Sequence, residues 1–130
     1  MANAPIILDT CALLWLAAGG GQLSEAALAR IDAAVVVHVS AISGFEIGLK
    51  FRGGKLSLPA TPQEWFQAVL EQHSIEVLHL DLSICILSSQ LPPIHRDPCD
   101  RLIIATAKIR KMPIVTTDAL FENYGVTLIC

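Results

Sequence analysis

A chain of 130 residues amounts to one domain, long enough to bury a core without disulfide or metal staples. Apolar residues make up 53% of it and charged residues 16%, against roughly a quarter charged in an average chain, so apolar surface is left for a partner or a second copy to cover. The net charge of −3 speaks against a nonspecific nucleic-acid binder, whose footprint is a basic face.

The longest apolar run, Cys11 to Ala18, is eight residues, far short of the roughly 18–20 that span a bilayer, so no membrane segment is expected. Met1-Ala2-Asn3-Ala4 places no positive charge ahead of an apolar stretch, so neither is a secretory signal, and the expected compartment is the cytoplasm. Cys11, Cys85, Cys99 and Cys130 form no C-x-x-C pair and have no histidine at zinc-finger spacing, which leaves reduced thiols as the expectation.

In chain order, Pro5 to Leu8 reads as a buried parallel strand that stops at Asp9-Thr10. A helix over Cys11 to Ala18 is broken by Gly19-Gly20-Gly21, and a second begins at Ser24. Val35 to Val39 is the second strand, and Ser40 caps a helix that carries Glu46 in its middle and ends at Gly53-Gly54. Thr61-Pro62-Gln63-Glu64 is a capping box with proline at the first helical position. Ile75 to Leu80 is the third strand, and Asp81 caps a short helix before Pro92-Pro93.

Asp97 then opens a helix from Pro98 to about Lys111, with Asp100 placed to reach back as the acid of a second capping box. Met112 to Val115 is the fourth strand, stopped by Thr116-Thr117-Asp118. A helical turn over Ala119 to Asn123 and a strand over Val126 to Ile129 complete the chain.

Strands alternating with helices imply a parallel sheet covered on both faces. Ligands of such sheets bind beyond the carboxyl ends of the strands, where the strand order reverses. A reversal after the third strand makes neighbours of strands one and four and brings Asp9 and Asp118 to that crevice, bordered by the elements that carry Glu46 and Asp100. Hard divalent cations prefer such oxygen donors. With one or two Mg²⁺ or Mn²⁺ ions, acids so gathered polarise a phosphoryl oxygen and activate water, the requirements of phosphodiester cleavage.

The segments Leu8-Asp9-Thr10 with Ala12-Leu13-Leu14-Trp15, Ser43 to Ile47 with Gly54-Lys55-Leu56, His95 to Arg101 with its helix, and Thr116-Thr117-Asp118 stand in one order along nearly the whole chain. Together they resemble the PIN-domain ribonucleases of the VapC type, the toxin half of bacterial toxin-antitoxin pairs. The resemblance implies a single PIN domain over residues 1–130. Its fold would be a three-layer α/β/α sandwich on a parallel sheet of about five strands in the order 3-2-1-4-5. It implies an endoribonuclease in which Asp9, Glu46, Asp100 and Asp118 hold Mg²⁺, or Mn²⁺ in its place. Asp97, Thr10, Arg96, Arg101 and Thr117 would support the site or touch RNA. A cognate antitoxin with a basic side chain near the acids, and a homodimer, are the implied partners. Cys11 and Cys99 depart from the histidine and phenylalanine of similar chains; both are expected near the acids, where they would make activity sensitive to oxidants.

Each acid also has a plainer reading. Asp97 and Asp118 suit helix caps, Asp9 can cap its own helix, and Glu46 can pair with Lys50 at i, i+4. His95 reads as a loop histidine before a substrate contact. The cationic groups Lys50, Arg52 and Lys55, then Arg96 and Arg101, then Lys108, Arg110 and Lys111, suit solvated helix ends. Trp15, Trp65, Phe45 and Phe66 sit within apolar helical stretches and read as core or interface anchors. Two other chemistries fit the residues: an aspartyl-phosphate receiver or phosphatase with Asp9 as nucleophile, although Cys11 stands where such phosphatases want a second acid, and a catalytically silent interaction module.

Overall fold

A computed structural model describes residues 4–130. The stretch read as lacking a signal, Met1 to Asn3, lies outside the described residues. Five short strands, β1 (Ile6–Leu8), β2 (Val37–Ser40), β3 (Ile75–Leu78), β4 (Ile114–Val115) and β5 (Leu128–Ile129), form one sheet in the order β3-β2-β1-β4-β5. Every pairing is parallel, with Ile7 opposite Ile114 and Leu8 opposite Val115 across the β1/β4 seam. The order reverses at that seam, as expected from the sequence.

The period-2 alternation of β1 divides the core. Ile6 and Leu8 face one layer, with Leu13 of α1 (Thr10–Ala17), Ala27 and Ile31 of α2 (Glu25–Ala33), and Trp65 and Val69 of α4 (Pro62–Gln72). Ile7 and Ile114 face the other, with Ile84 of α5 (Leu82–Gln90) and Ile103, Ile104 and Ala107 of α6 (Pro98–Arg110). Helix α3 (Ala41–Arg52) sits at the junction, giving Ile47 to the first layer and Ile42 to the second. All three β1 residues are fully buried, which is why this strand reads as a continuous apolar run.

Helix starts follow the sequence signals. Asp9, Ser24, Ser40, Thr61, Asp81 and Asp97 each accept a backbone N–H of the first turn they precede. Helix α3 ends at Gly53, and Gly54 follows with φ +73°, a backbone state that favours glycine. The strands are shorter than their apolar runs: β2 starts at Val37, β3 stops at Leu78, β4 has two residues instead of four, and β5 starts at Leu128. Strand length is set by which neighbours have backbone to pair with. Val35, at 66% exposed, lies beyond the reach of Ile6, the first paired residue of β1.

The capping box at Thr61 forms, with Glu64 N–H on the threonine hydroxyl and the hydroxyl on Glu64 Oε1. The one expected at Asp97 does not. Asp100 turns away from the helix start toward His95, and the Asp97 N–H goes to His95 Nδ1 instead.

Arg101, expected beside the acids or on RNA, is a clamp inside the loop that precedes α6. Its guanidinium donates to the carbonyls of Ser88, Leu91, Pro92 and His95 at 2.7–3.1 Å, which leaves it no free fork for a phosphate. Arg96 is exposed. Replacing Arg101 by Met should therefore lower stability to urea by about 3 kcal/mol, since four carbonyls lose a charged donor. Arg96→Ala should stay within about 0.5 kcal/mol of the parent. Equal losses for the two variants would contradict the clamp.

Candidate active site at the carboxyl ends of the strands

The β1/β4 seam positions the first acid. One step beyond the Leu8–Val115 pair, Asp9 N–H bonds Val115 O at 3.1 Å and sets Asp9 level with Thr116. The Thr116 hydroxyl donates to Asp9 Oδ2, and Ala12 N–H donates to Oδ1 at 2.8 Å. Capping and site formation thus use different oxygens of one carboxylate. Burial, opposed by those hydrogen bonds and assisted by the charges of Glu46 and Asp118, raises the Asp9 pKa above the ordinary carboxylate value.

Glu46 enters from α3 and is buried. Its Oε2 accepts from Lys50 Nζ at 3.0 Å, the i, i+4 pair expected from the sequence, while Oε1 is buried with no hydrogen-bond partner among the described residues. An orphaned buried carboxylate oxygen is unfavourable unless something cationic completes it. The bond to Glu46 raises the Lys50 pKa, so Lys50 stays charged.

Asp100, at the third position of α6, is the least compensated acid. Burial first, then the charges of Asp97 and Glu46, push its carboxyl up to about 7, with His95 acting the other way. Asp118 caps the 3-10 turn Ala119–Tyr124 through Oδ1, which accepts Leu120 N–H at 3.0 Å, and turns Oδ2 to His95. Donor atoms of His95, Asp100 and Asp118 lie within 4.8 Å of one another. Four acids from four elements thus act on one another's charge.

Two neighbours of the acids were not among the residues singled out for the site. Thr116, not the exposed Thr117, holds Asp9; the β1/β4 register decides between them, and one strand taken alone does not reveal it. His95 is no plain loop histidine, since its Nε2 lies 2.8 Å from Asp118 Oδ2 and 3.1 Å from Asp100 Oδ2. Its place directly ahead of Arg96-Asp97-Pro98 was the available signal. Thr10 is buried with its hydroxyl 2.9 Å from that of Ser43, which ties the start of α1 to α3. Asp97 serves as the cap of α6, its Oδ1 accepting from Cys99 and Asp100 N–H.

Cys11 is exposed and Cys99 buried. Burial and the acids around them raise both thiols, Cys99 to about 11. They do feel the charge of Asp9, Glu46 or Asp100, but they are held protonated, the opposite of a reactive thiolate. The expected oxidant sensitivity has no support in this arrangement.

A hollow of about 670 Å³ between Leu28, Val36, His73 and their neighbours lies at the other ends of the strands, away from the acids.

A parallel α/β sheet with carboxylates gathered at its central switch point defines the class, and the PIN domain model matches residues 6–126, so the chain belongs to the PIN domain family. Within that family it is 31% identical over 120 residues to Ribonuclease VapC22 of Mycobacterium tuberculosis, covering 92% of this chain and 91% of that protein. The same fold occurs in DNA-bound VapBC from Salmonella typhimurium, with TM-score 0.70 and 22% identity over 97% of each chain. FitAcB from Neisseria gonorrhoeae shares it with TM-score 0.65 and 24% identity over 96% of each chain.

The elevated Asp100 carboxyl gives the metal-free protein a defined pH dependence. Its folded pKa, about 7, lies above the model value of 3.8, so protonation favours the fold and that stability is lost as pH rises through 7. Between pH 6 and pH 8 the metal-free protein should lose about 1.4 kcal/mol, a fall in Tm of about 4 °C, and Asp100→Asn should flatten the profile. Calorimetry in chelator at both pH values checks this, and a parent that melts higher at pH 8 would contradict it.

Proposed function

We propose that this chain is a metal-dependent endoribonuclease of the VapC toxin type, acting in the cytoplasm under the control of an antitoxin. The observation that carries the reading is Glu46 Oε1, buried among the acids with no hydrogen-bond partner among the described residues. Asp9, Glu46, Asp100 and Asp118 fit a hard cation: all are oxygen donors, each comes from a different element, and their mutual repulsion leaves the set short of positive charge. Held by these four acids, Mg²⁺, or Mn²⁺ in its place, would supply the positive charge that phosphodiester hydrolysis by water requires, with no covalent intermediate on the protein.

The chain's own residues prepare that event. Thr116 and the Ala12 N–H fix Asp9 in one rotamer, and Lys50 neutralises one Glu46 oxygen while leaving the other for the cation. Lys50, 44% exposed at its side chain, also offers the rim a cation for an RNA phosphate, and exposed Arg96 offers a second. Asp9 is a poor nucleophile for the aspartyl-phosphate chemistry, since both its oxygens already accept hydrogen bonds and family membership points elsewhere.

Purified protein should cut RNA with Mg²⁺ or Mn²⁺, and Asp9→Asn or Asp100→Asn should lower the rate by at least about 10²-fold. Variants as active as the parent would overturn the assignment. Metal binding with no cleavage of any RNA would reduce the chain to the silent interaction module.

Surface chemistry supports protein partners. Phe45 and Leu49 on α3, and Leu82 and Ile86 on α5, are exposed i, i+4 pairs, and Leu14, Ala17, Leu56, Leu58 and Trp65 line an apolar groove of about 300 Å³. The helix pairs suit a second copy of the chain, and the groove suits an apolar segment of the antitoxin. Light scattering should show a dimer that Phe45→Glu with Leu82→Glu converts to monomer. A parent that is monomeric at all concentrations would remove the dimer.

A further inference from the structure

His95 is the most heavily restrained side chain around the acids, and the restraints are arranged about its ring. Its N–H donates to Tyr124 Oη at 2.7 Å, and the Tyr124 hydroxyl donates to Pro92 O at 2.8 Å. Its carbonyl accepts from Arg101 at 3.1 Å, and its ring meets Phe121 edge to face with centroids 5.5 Å apart. Loop, helix α6 and the turn after β4 therefore all fix one imidazole.

The hydrogen bonds also fix its tautomer. Asp97 N–H points at Nδ1 at 3.2 Å, so Nδ1 is an acceptor and the neutral ring carries its proton on Nε2. That N–H donates to Asp118 Oδ2 at 2.8 Å, and the same nitrogen lies 3.1 Å from Asp100 Oδ2. A nitrogen that carries a proton is a donor to carboxylates and has no lone pair for a metal. Asp100 belongs to a helix and Asp118 to an exposed turn 18 positions later, and the imidazole is the group that reaches both.

We propose that His95 is a positioning residue of the cation site: its Nε2–H holds the Asp100 and Asp118 carboxylates side by side for a divalent ion, from outside the ligand set. This rests on the reading of the acids as a cation site given above. The role is the reverse of the familiar one in which a carboxylate orients a ligating histidine; here the histidine orients the carboxylates.

Mn²⁺ titration of the full chain, followed by electron paramagnetic resonance, tests this without reference to cleavage. His95→Ala should bind Mn²⁺ about 10-fold or more weakly than the parent, and His95→Gln, whose amide can donate in place of Nε2, should recover most of the loss. The Mn²⁺-loaded parent should show no directly coordinated nitrogen. Melting of each metal-free variant confirms that it is folded, and His95→Gln carries the comparison if His95→Ala is not. Undiminished binding by His95→Ala, failure of a folded His95→Gln to bind better than a folded His95→Ala, or a nitrogen coupling that His95→Ala abolishes would each overturn the proposal. A parent that binds no Mn²⁺ is a different result, since it removes the cation site itself and the proposal with it.

Discussion

Repulsion among carboxylates that the fold forces together is the constraint behind most of what surrounds them. Two unit charges 4 Å apart repel by roughly 4 kcal/mol at an effective dielectric near 20, a large share of the stability of a small domain. The chain offsets this acid by acid with fixed donors. Asp9 has a backbone N–H and a threonine hydroxyl, Glu46 a lysine, and Asp118 a backbone N–H and an imidazole. Compensation is incomplete at two points, the raised Asp100 carboxyl and the bare Glu46 Oε1. Those two points are where added positive charge would gain most.

The sheet makes this tolerable because its central strand is buried on both faces. With Ile6 and Leu8 buried in one layer and Ile7 in the other, β1 has no freedom to slide, and its last peptide delivers Asp9 to a set position. The caps contribute in the same way. A carboxylate has two oxygens, and Asp9 and Asp118 each use one to start a helical turn while the other meets a second donor across the crevice. Capping and site formation, rivals when read along the chain, are one arrangement in space. Asp97 does otherwise, with a single oxygen accepting both capping N–H groups.

The low charged content left in the sequence as excess apolar surface has a location in the fold. Much of it lies on α3 and α5, both packed against α6, and in the groove beside α1. Glu46 and Lys50 share α3 with the exposed Phe45 and Leu49. A partner that covers that helix therefore sits one turn from Glu46, and partner binding and the acids share an element.

What the sequence determined alone was much of what is written in local terms. Caps at Asp9, Ser24, Ser40, Thr61, Asp81 and Asp97, the glycine stop after α3, the apolar β1 and the alternation of strands and helices depend on neighbours a few residues away. They carry the fold class with them. Tertiary structure alone decided matters of register and reach. Thr116 rather than Thr117 meets Asp9 because β1 and β4 pair Leu8 with Val115, residues 107 positions apart. Arg101 turns inward because four carbonyls of α5 and the loop after it converge on it, and His95 becomes part of the site because Asp97, Tyr124 and Phe121 fix its position. A side chain's type and spacing specify what it can donate or accept; only the packed fold specifies which partner is within 3 Å.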